Sequence, residues 1–523
     1  MKLENNYHSL TNSVFDNVII VLKSVLVGIC AGGVVVLYRL ILSKGENFAF
    51  TMYDFISKNL FWIFLLIPIF GVVAYLIGKM VDYNPMISGS GIPQIEGILK
   101  GYFLKRKSWF STLICKFAGG TLGVMGGLSL GREGPSIQLG ANVAEAIGNR
   151  LGNGRLEKKI LIAGGASAGL AAAFNAPLAG VMFALEEIFK YFTPVILLSM
   201  MSAAVASDFI SKQIFGMQPI FELPVIHSIP LSGYGYLIVL GIVLGVFGAI
   251  YNYVLLRTKD LYKSLHVPTW VKIWIPFLLA IFLGIFMPQV LGGGHALFEE
   301  LNSNLVLTTM MVLLLVKFLF SVISFGSGTP GGIFFPLIVL GAGIGAIYAK
   351  TIISFFGVDP SLFDNFIILA MAGYFTAIVR APLTGIILIT EMTNSLTHLL
   401  SLTVVSVVAY VIADLLKSPP IYEALLEGMI EKGHKETEES GKRIVFEIMV
   451  RHESLLTNKM VKDIPLPQDT LLVEIRRGEH RIMPKGKTKI RAGDTISVLT
   501  DVNLESSVKE ALEKQNQSVE KLS

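Results

Sequence analysis

Charge is scarce in this chain. Asp, Glu, Lys and Arg supply 15% of 523 residues and apolar residues 53%, whereas a soluble domain carries about a quarter charged. That shortage excludes a soluble enzyme of this length, and no nucleic-acid partner or cofactor is expected. Cysteine is nearly absent: Cys30 and Cys115 stand alone in apolar runs, without the spacing of a disulfide framework or metal site, and read as small buried hydrophobes. The opening MKLENNYHSLTNSVFDN lacks the basic region and cleavage site of a signal peptide, so the first apolar run is expected to stay as a helix. The net charge of +5 says little, because Lys and Arg collect in loops and in the C-terminal part.

What is abundant is apolar sequence and glycine, with 51 glycines, a usage typical of membrane helices. Runs long enough to cross roughly 30 Å of hydrocarbon recur at 17–38, 60–79, 232–256, 270–290 and 397–416. Others, around 113–130, 160–173, 177–189 and 331–349, are short or broken by Gly and Pro. The chain reads as a multi-span protein of the lipid bilayer. KRK at 105–107 and the group Arg150, Arg155, Lys158, Lys159 favour cytoplasmic placement of their loops.

The sequence repeats internally. A shift of 201 lays GREGPSIQLGA (131–141) over GIFFPLIVLGA (332–342) with six of eleven positions identical, and a shift of 205 lays APLAGVMFALE (176–186) over APLTGIILITE (381–391). Shared membrane composition explains matching Leu and Ala, but not Gly, Pro and Glu in register. Two halves of about 200 residues with broken helices at corresponding places are the pattern of a transporter whose site lies between the repeats.

GSGIPQIEGIL (89–99), GREGPSIQLGANVAEAIG (131–148) and TPGGIFFPLIVLGAGIG (329–345) each place glycines and a proline at the start of a helical run. A helix start offers unpaired N–H groups and about half a positive charge, so several converging in an apolar setting favour a small anion. A cation site would use a TVGYG-type filter or an acidic ring, and these stretches have neither. Within GREGP, Glu133 is an ionisable group at membrane depth, where such residues mark function by default. Ionised, it can occupy the place of an anion at the same amides. Protonated, it loses that attraction and can swing away.

GSGIP (89–93), GREGP (131–135), GIFFP (332–336) and the tyrosine of PPIYEALL (419–426) resemble, in order and spacing, the four anion-binding segments of the CLC family of chloride channels and chloride/proton antiporters. AAAFNAPLAG (171–180), followed by Glu186 and Glu187, is similar to the family's stretch bearing an inner proton glutamate. The resemblance covers roughly residues 20–425 and implies an all-α polytopic membrane fold, an inverted repeat of two halves with broken helices. The expected divisions are an N-terminal segment 1–16, a transmembrane domain 17–428 with halves 17–215 and 216–428, and a linker 429–443.

Carried over position by position, the resemblance implies that Ser90 and Tyr422 donate hydroxyls to a chloride ion. Backbone N–H groups of Ile333, Phe334 and Arg132 to Gly134 would complete its shell. It implies Glu133 as external gate and proton acceptor, Glu187 as internal proton relay and Glu186 as an accessory. Neutral donors suit an ion that must leave again; taken singly, Ser90 also reads as a helix cap and Tyr422 as an interfacial anchor. Arg132 either balances Glu133 or raises the local potential. Glu391 and Arg380 read as structural. GSGIP lacks the proline that nitrate-preferring members carry in place of Ser90, and the fluoride branch departs from both GSGIP and GREGP, so chloride is the expected anion. The implied protein is a homodimeric proton/chloride antiporter in the plasma membrane, with N-terminus and C-terminal domain cytoplasmic. A passive channel of the same family is the alternative. An intramembrane serine protease using Ser90 would need a histidine base, and none of the eight histidines lies mid-span.

Beyond a mixed-charge linker, EKGHKETEESGKR (431–443), the segments VFEIMV, LLVEIR, HRIMP and TISVLT read as short strands, with turn signals at Arg477-Gly478 and Ala492-Gly493-Asp494 and a final helix near Asn503. Residues 444–517 resemble the C-terminal lobe of RCK/TrkA regulators, a small α/β domain that implies pairing and an unidentified small ligand. Potassium transport, which that tail raises, meets the missing filter.

Overall fold

The computed structural model of the chain describes residues 2–103, 107–152, 154–190, 192–221, 229–433, 443–451, 454–467, 469–477, 480–501 and 504–516. Two compact units divide it: residues 1–99 with 105–426, and residues 100–104 with 427–523. In order, the elements are α1 (Lys2–Lys58), α2 (Ile63–Tyr83), α3 (Ile92–Lys100), α4 (Trp109–Met125), α5 (Glu133–Leu151), α6 (Arg155–Phe174), α7 (Pro177–Phe183), α8 (Pro194–Phe215), α9 (Tyr234–Ser264), α10 (Thr269–Phe286), α11 (His295–Glu300), α12 (Leu307–Gly326), α13 (Phe334–Phe356), α14 (Phe363–Val379), α15 (Pro382–Thr393), α16 (Leu399–Leu415) and α17 (Ile421–Gly433). A π-helical turn, Ala184–Phe189, follows α7. The second unit adds β1 (Arg443–Met449), β2 (Leu471–Arg477), β3 (His480–Ile482), β4 (Thr495–Asp501) and α18 (Glu505–Gln515).

Eight helices among the described residues are long and apolar enough to span a bilayer. Exposed aromatic and aliphatic side chains cover α2 and α10, among them Phe64, Leu65, Val72, Phe282 and Phe286, an outer surface made for lipid. α14 lies at the other extreme, with nearly every side chain enclosed by its neighbours. Cys30 departs from the sequence reading, because it is exposed. Residues 24–38 of α1 are apolar on all sides, so their pattern does not tell the protein-facing stripe from the lipid-facing one.

The two halves meet at their equivalent glycines. The Gly131 N–H donates to Gly332 O at 2.6 Å, and the Gly332 N–H returns a bond to Gly131 O at 2.7 Å, an antiparallel bridge. Reciprocal bonds between equivalent positions require a local two-fold relation. The same relation shows in the backbone: Gly127 and Gly328 have φ of 81° and 84°, and Gly91 and Gly294 have 99° and 113°, values open to glycine and strained for other residues. These turns reverse the chain before each broken helix.

Buried lysines mark the two halves as well. Lys116 Nζ donates to Ile87 O (2.9 Å) and Gly89 O (2.6 Å), and Lys317 Nζ donates to Val290 O (2.9 Å) and Gly292 O (2.8 Å). Each ties a glycine loop to the helix behind it by bonding its carbonyls, and Gly89 O also accepts from the Gly331 N–H at 3.0 Å.

In the second unit β1, β4, β2 and β3 form one antiparallel sheet in that order, where the alternating segments of the sequence place them. Phe446, Ile448, Ile475, Ile496 and Val498 pack with Val508 and Leu512 of α18. The linker differs in part from its reading: α17 runs on to Gly433, and residues 434–442, with Gly478 and Asn503, lie outside the described residues.

Candidate functional site: a cluster of buried helix starts

Glu133 is the first residue of α5 and fully buried. Pro135 stands in the first turn, where the N–H it lacks would be unpaired anyway. The Phe335 N–H, at the start of α13, donates to Glu133 Oε2 at 3.3 Å, so the carboxylate of one repeat rests on a helix start of the other. Its second oxygen, Oε1, has no hydrogen-bond partner and lies 3.8 Å from Arg132 Nε. A cavity of about 20 Å³ borders Glu133, lined by Glu46, Arg132, Gly293, His295 and Phe335 among others, room for one water-sized particle.

Ser90 precedes α3 and is 3% exposed. A Cβ added at Gly134 would fall on Ser90 Oγ and crowd the Ser90 carbonyl, so glycine there is what lets the two segments touch. Ile333 and Phe334, at the N-terminus of α13, are also fully buried. Tyr422, in the first turn of α17, is buried and meets Phe183 edge-on at 6.2 Å. Phe183 in turn meets Phe334 at 5.6 Å. This aromatic chain brings the starts of α13 and α17 together with the end of α7.

Ser90 Oγ and Tyr422 Oη have no hydrogen-bond partner. Leaving a buried hydroxyl unpaired costs about 1–3 kcal/mol, so one against the start of α5 and one joined through Phe183 to the start of α13 call for an occupant that accepts hydrogen bonds. Among the described residues no histidine is hydrogen-bonded to Ser90.

Glu187 is 3% exposed and lies in the π-helical turn, a local widening frequent at functional sites. It stands three residues before Lys190, which forms an ion pair with Glu423, the residue after Tyr422. Glu186 has a different setting. Its carboxylate accepts from the Leu383 N–H (3.3 Å), the Thr384 N–H (2.8 Å) and Thr384 Oγ1 (2.8 Å) at the start of α15. Glu391 makes the mirror contact, accepting from the N–H groups of Leu178 (3.1 Å) and Ala179 (2.8 Å) at the start of α7. Each half thus caps a helix of the other.

Several of these residues went unmarked in the sequence. His295, which follows three glycines, is half-buried, with its ring 4.1 Å from that of Phe335. His398 is the fully buried N-cap residue of α16. Lys116 and Lys317 are 201 residues apart, the offset of the first repeat, and extending that alignment would have paired them. Arg380 donates to the carbonyls of Tyr410 and Ser418.

Residues 69–414 match the family described as voltage gated chloride channel, and residues 445–512 match the TrkA-C domain. The chain is 35% identical over 357 residues to the H(+)/Cl(-) exchange transporter ClcA of Vibrio cholerae serotype O1, covering 66% of this chain and 75% of that protein. With the protein of the same name from Klebsiella pneumoniae (strain 342) the identity is 32% over 389 residues, 72% of this chain and 81% of the other. Among solved structures, a slow cyanobacterial Cl-/H+ antiporter superposes with a TM-score of 0.73 at 32% identity, over 79% of this chain and 98% of that one. A CLC-type fluoride/proton antiporter superposes with a TM-score of 0.64 at 25% identity, over 78% and 98%.

Proposed function

This chain belongs to the voltage gated chloride channel family, and on that premise we propose that it exchanges chloride for protons across the membrane. It is a multi-pass transporter and not an enzyme. The observation that carries the reading is the pair of buried, unpartnered hydroxyls of Ser90 and Tyr422 beside starts of helices from both repeats. Chloride accepts hydrogen bonds and donates none, so one ion answers both hydroxyls and the N–H groups of Ile333, Phe334, Arg132 and Gly134.

Glu133 is the gate in this reading. Ionised, its carboxylate holds the amides an anion would use. A proton removes its charge, weakens the bond from the Phe335 N–H and frees the position for chloride. Proton uptake and anion passage are then alternatives at one place. Glu187 passes protons between the far side and Glu133, while Glu186 is a cap and no proton carrier, a role supported by its three bonds to the start of α15. The protein is a homodimer of the plasma membrane with a pathway in each chain. Its N-terminus and TrkA-C unit lie in the cytoplasm, where that unit pairs and takes a small ligand. The transport domain spans 17–428 and the tail domain 444–517.

Reconstitution into liposomes with chloride and pH recorded together tests this reading. A chloride gradient is expected to drive protons uphill through the native chain. Glu187→Gln is expected to abolish proton movement and leave chloride movement measurable. Chloride flux without any proton flux in the native chain would make it a channel.

A further inference from the structure

The Glu133 carboxylate is fully buried, so a proton reaches it only by way of the groups around it. Among the described residues that line the cavity of about 20 Å³ beside it, the one other carboxylate is Glu46. Glu46 stands in α1 and is half-buried, and its neighbours Lys44 and Asn47 are exposed, which sets this stretch of α1 at a level that water reaches, since such side chains are costly in hydrocarbon. Its place is fixed. The Gly293 N–H donates to Glu46 Oε1 at 3.3 Å, and a Cβ added at Gly292 would fall on the same oxygen. The glycine loop ends on His295, whose ring lies on Phe335, and the Phe335 N–H holds Glu133 Oε2. The groups able to carry charge around this space are therefore Glu46 from α1, Arg132 and Glu133 at the start of α5, His295 from α11, and Lys317 of α12, bonded to Gly292 O behind the loop. Two buried polar atoms here, Glu133 Oε1 and Arg132 Nε, have no hydrogen-bond partner. A water needs two to four polar partners and about this much room, and the cavity supplies both.

Resting on the exchange reading above, we propose that Glu46 exchanges protons with Glu133 through one water in the cavity they share, on the side of the gate away from Glu187. The protonated Glu46 carboxyl gives its proton to the water, and the water gives one of its own to Glu133 Oε1. One O–H bond breaks at Glu46 and one forms at Glu133, the water is unchanged, and the reverse step returns the proton. The other charged groups do not serve. Arg132 keeps its proton throughout, and a proton on His295 would set a second positive charge beside that guanidinium. Arg132, with Nε 3.8 Å from Glu133 Oε1, steadies the negative charge that the gate carries before the transfer. Glu46 thus handles the proton alone and takes no part in holding the anion.

The test records chloride and proton flux of the full chain in liposomes, for the native protein and Glu46→Gln, and again with Glu133→Gln in both. Glutamine keeps an oxygen for the Gly293 N–H and removes the proton site, so Glu46→Gln is expected to slow coupled exchange about tenfold or more, the contribution of a positioned proton donor. Glu46→Asp, which keeps a carboxyl, is expected to exchange faster than Glu46→Gln. In the Glu133→Gln background the gate takes no proton, and adding Glu46→Gln is expected to alter chloride flux less than twofold. Equal slowing in both backgrounds overturns the inference, because a merely structural glutamate would act that way. A native exchange rate in Glu46→Gln, or a Glu46→Asp as slow as Glu46→Gln, also overturns it, and each of these leaves the exchange reading standing. A native chain that moves no protons overturns the exchange reading and the inference together.

Discussion

A carboxylate on the first residue of a buried helix, as at Glu133, competes with any anion for the same N–H groups. Glu133→Gln keeps the shape and removes the charge, so chloride flux in liposomes is expected to persist while uphill proton movement vanishes. Tyr422 makes the complementary case. A hydrogen bond to a charged group contributes about 1.5–3 kcal/mol, so Tyr422→Phe is expected to weaken chloride binding roughly 10-fold or more, read by calorimetric titration in detergent. The buried settings of Glu133 and of the segment holding Ser90 were marked in the sequence by the Gly and Pro that announce a helix start, whereas Tyr422, in a stretch without glycine, was named through the family resemblance. Lys116, Lys317 and His295 were not legible. A single lysine in an apolar run has no local signature, and its partners, the carbonyls of Ile87, Gly89, Val290 and Gly292, lie more than twenty residues away. His295 follows three glycines that read as an open loop. What packs against it is Phe335, forty residues further along the same half.

Helices α7 and α15 are short and begin with Ala-Pro, and each has its start satisfied by a glutamate from the other half of the chain. Removing a cap costs about 0.5–2 kcal/mol. Glu186→Ala is therefore expected to lower the unfolding temperature of the transport unit in a thermal melt while leaving the ratio of protons to chloride unchanged. A changed ratio would return Glu186 to the proton path. The broken helices themselves were legible from their glycines and prolines, and the register of GREGP on GIFFP foretold that α5 and α13 occupy equivalent places. The ends of α1 and the side on which Cys30 stands were not, because a helix apolar all round carries no periodic mark of which face meets lipid.

At the scale of the whole chain, the proposed site residues Ser90, Arg132 to Gly134, Ile333, Phe334 and Tyr422 all belong to the first compact unit, and the tail has its own core. Within that tail the Asp494 carboxyl is pushed up by burial, but the Arg477 side chain and the Arg491 N–H outweigh this and hold it below the ordinary carboxylate value. A group whose folded value is depressed stabilises the fold above its unfolded value, near 3.9 for Asp, and loses that contribution as pH falls through the folded value. Hydrogen exchange across β4 is expected to quicken as pH falls through that window, after correction for intrinsic rates, and Asp494→Asn is expected to flatten the change. The domain order was legible from the shift in composition after α17. The pairing of Arg477 with Asp494 was not, since it depends on the sheet bringing the end of β2 beside the turn before β4. The most direct measurement of the central claim, that a halide and the Glu133 carboxylate alternate at one set of amides, is anomalous diffraction from bromide-soaked crystals of the native chain and of Glu133→Gln. Bromide is expected beside Ser90 and Tyr422 in both, with a further peak at the amides of α5 and Phe335 only where Glu133 has lost its charge. Absence of bromide beside Ser90 and Tyr422, or identical peaks in the two proteins, would contradict it.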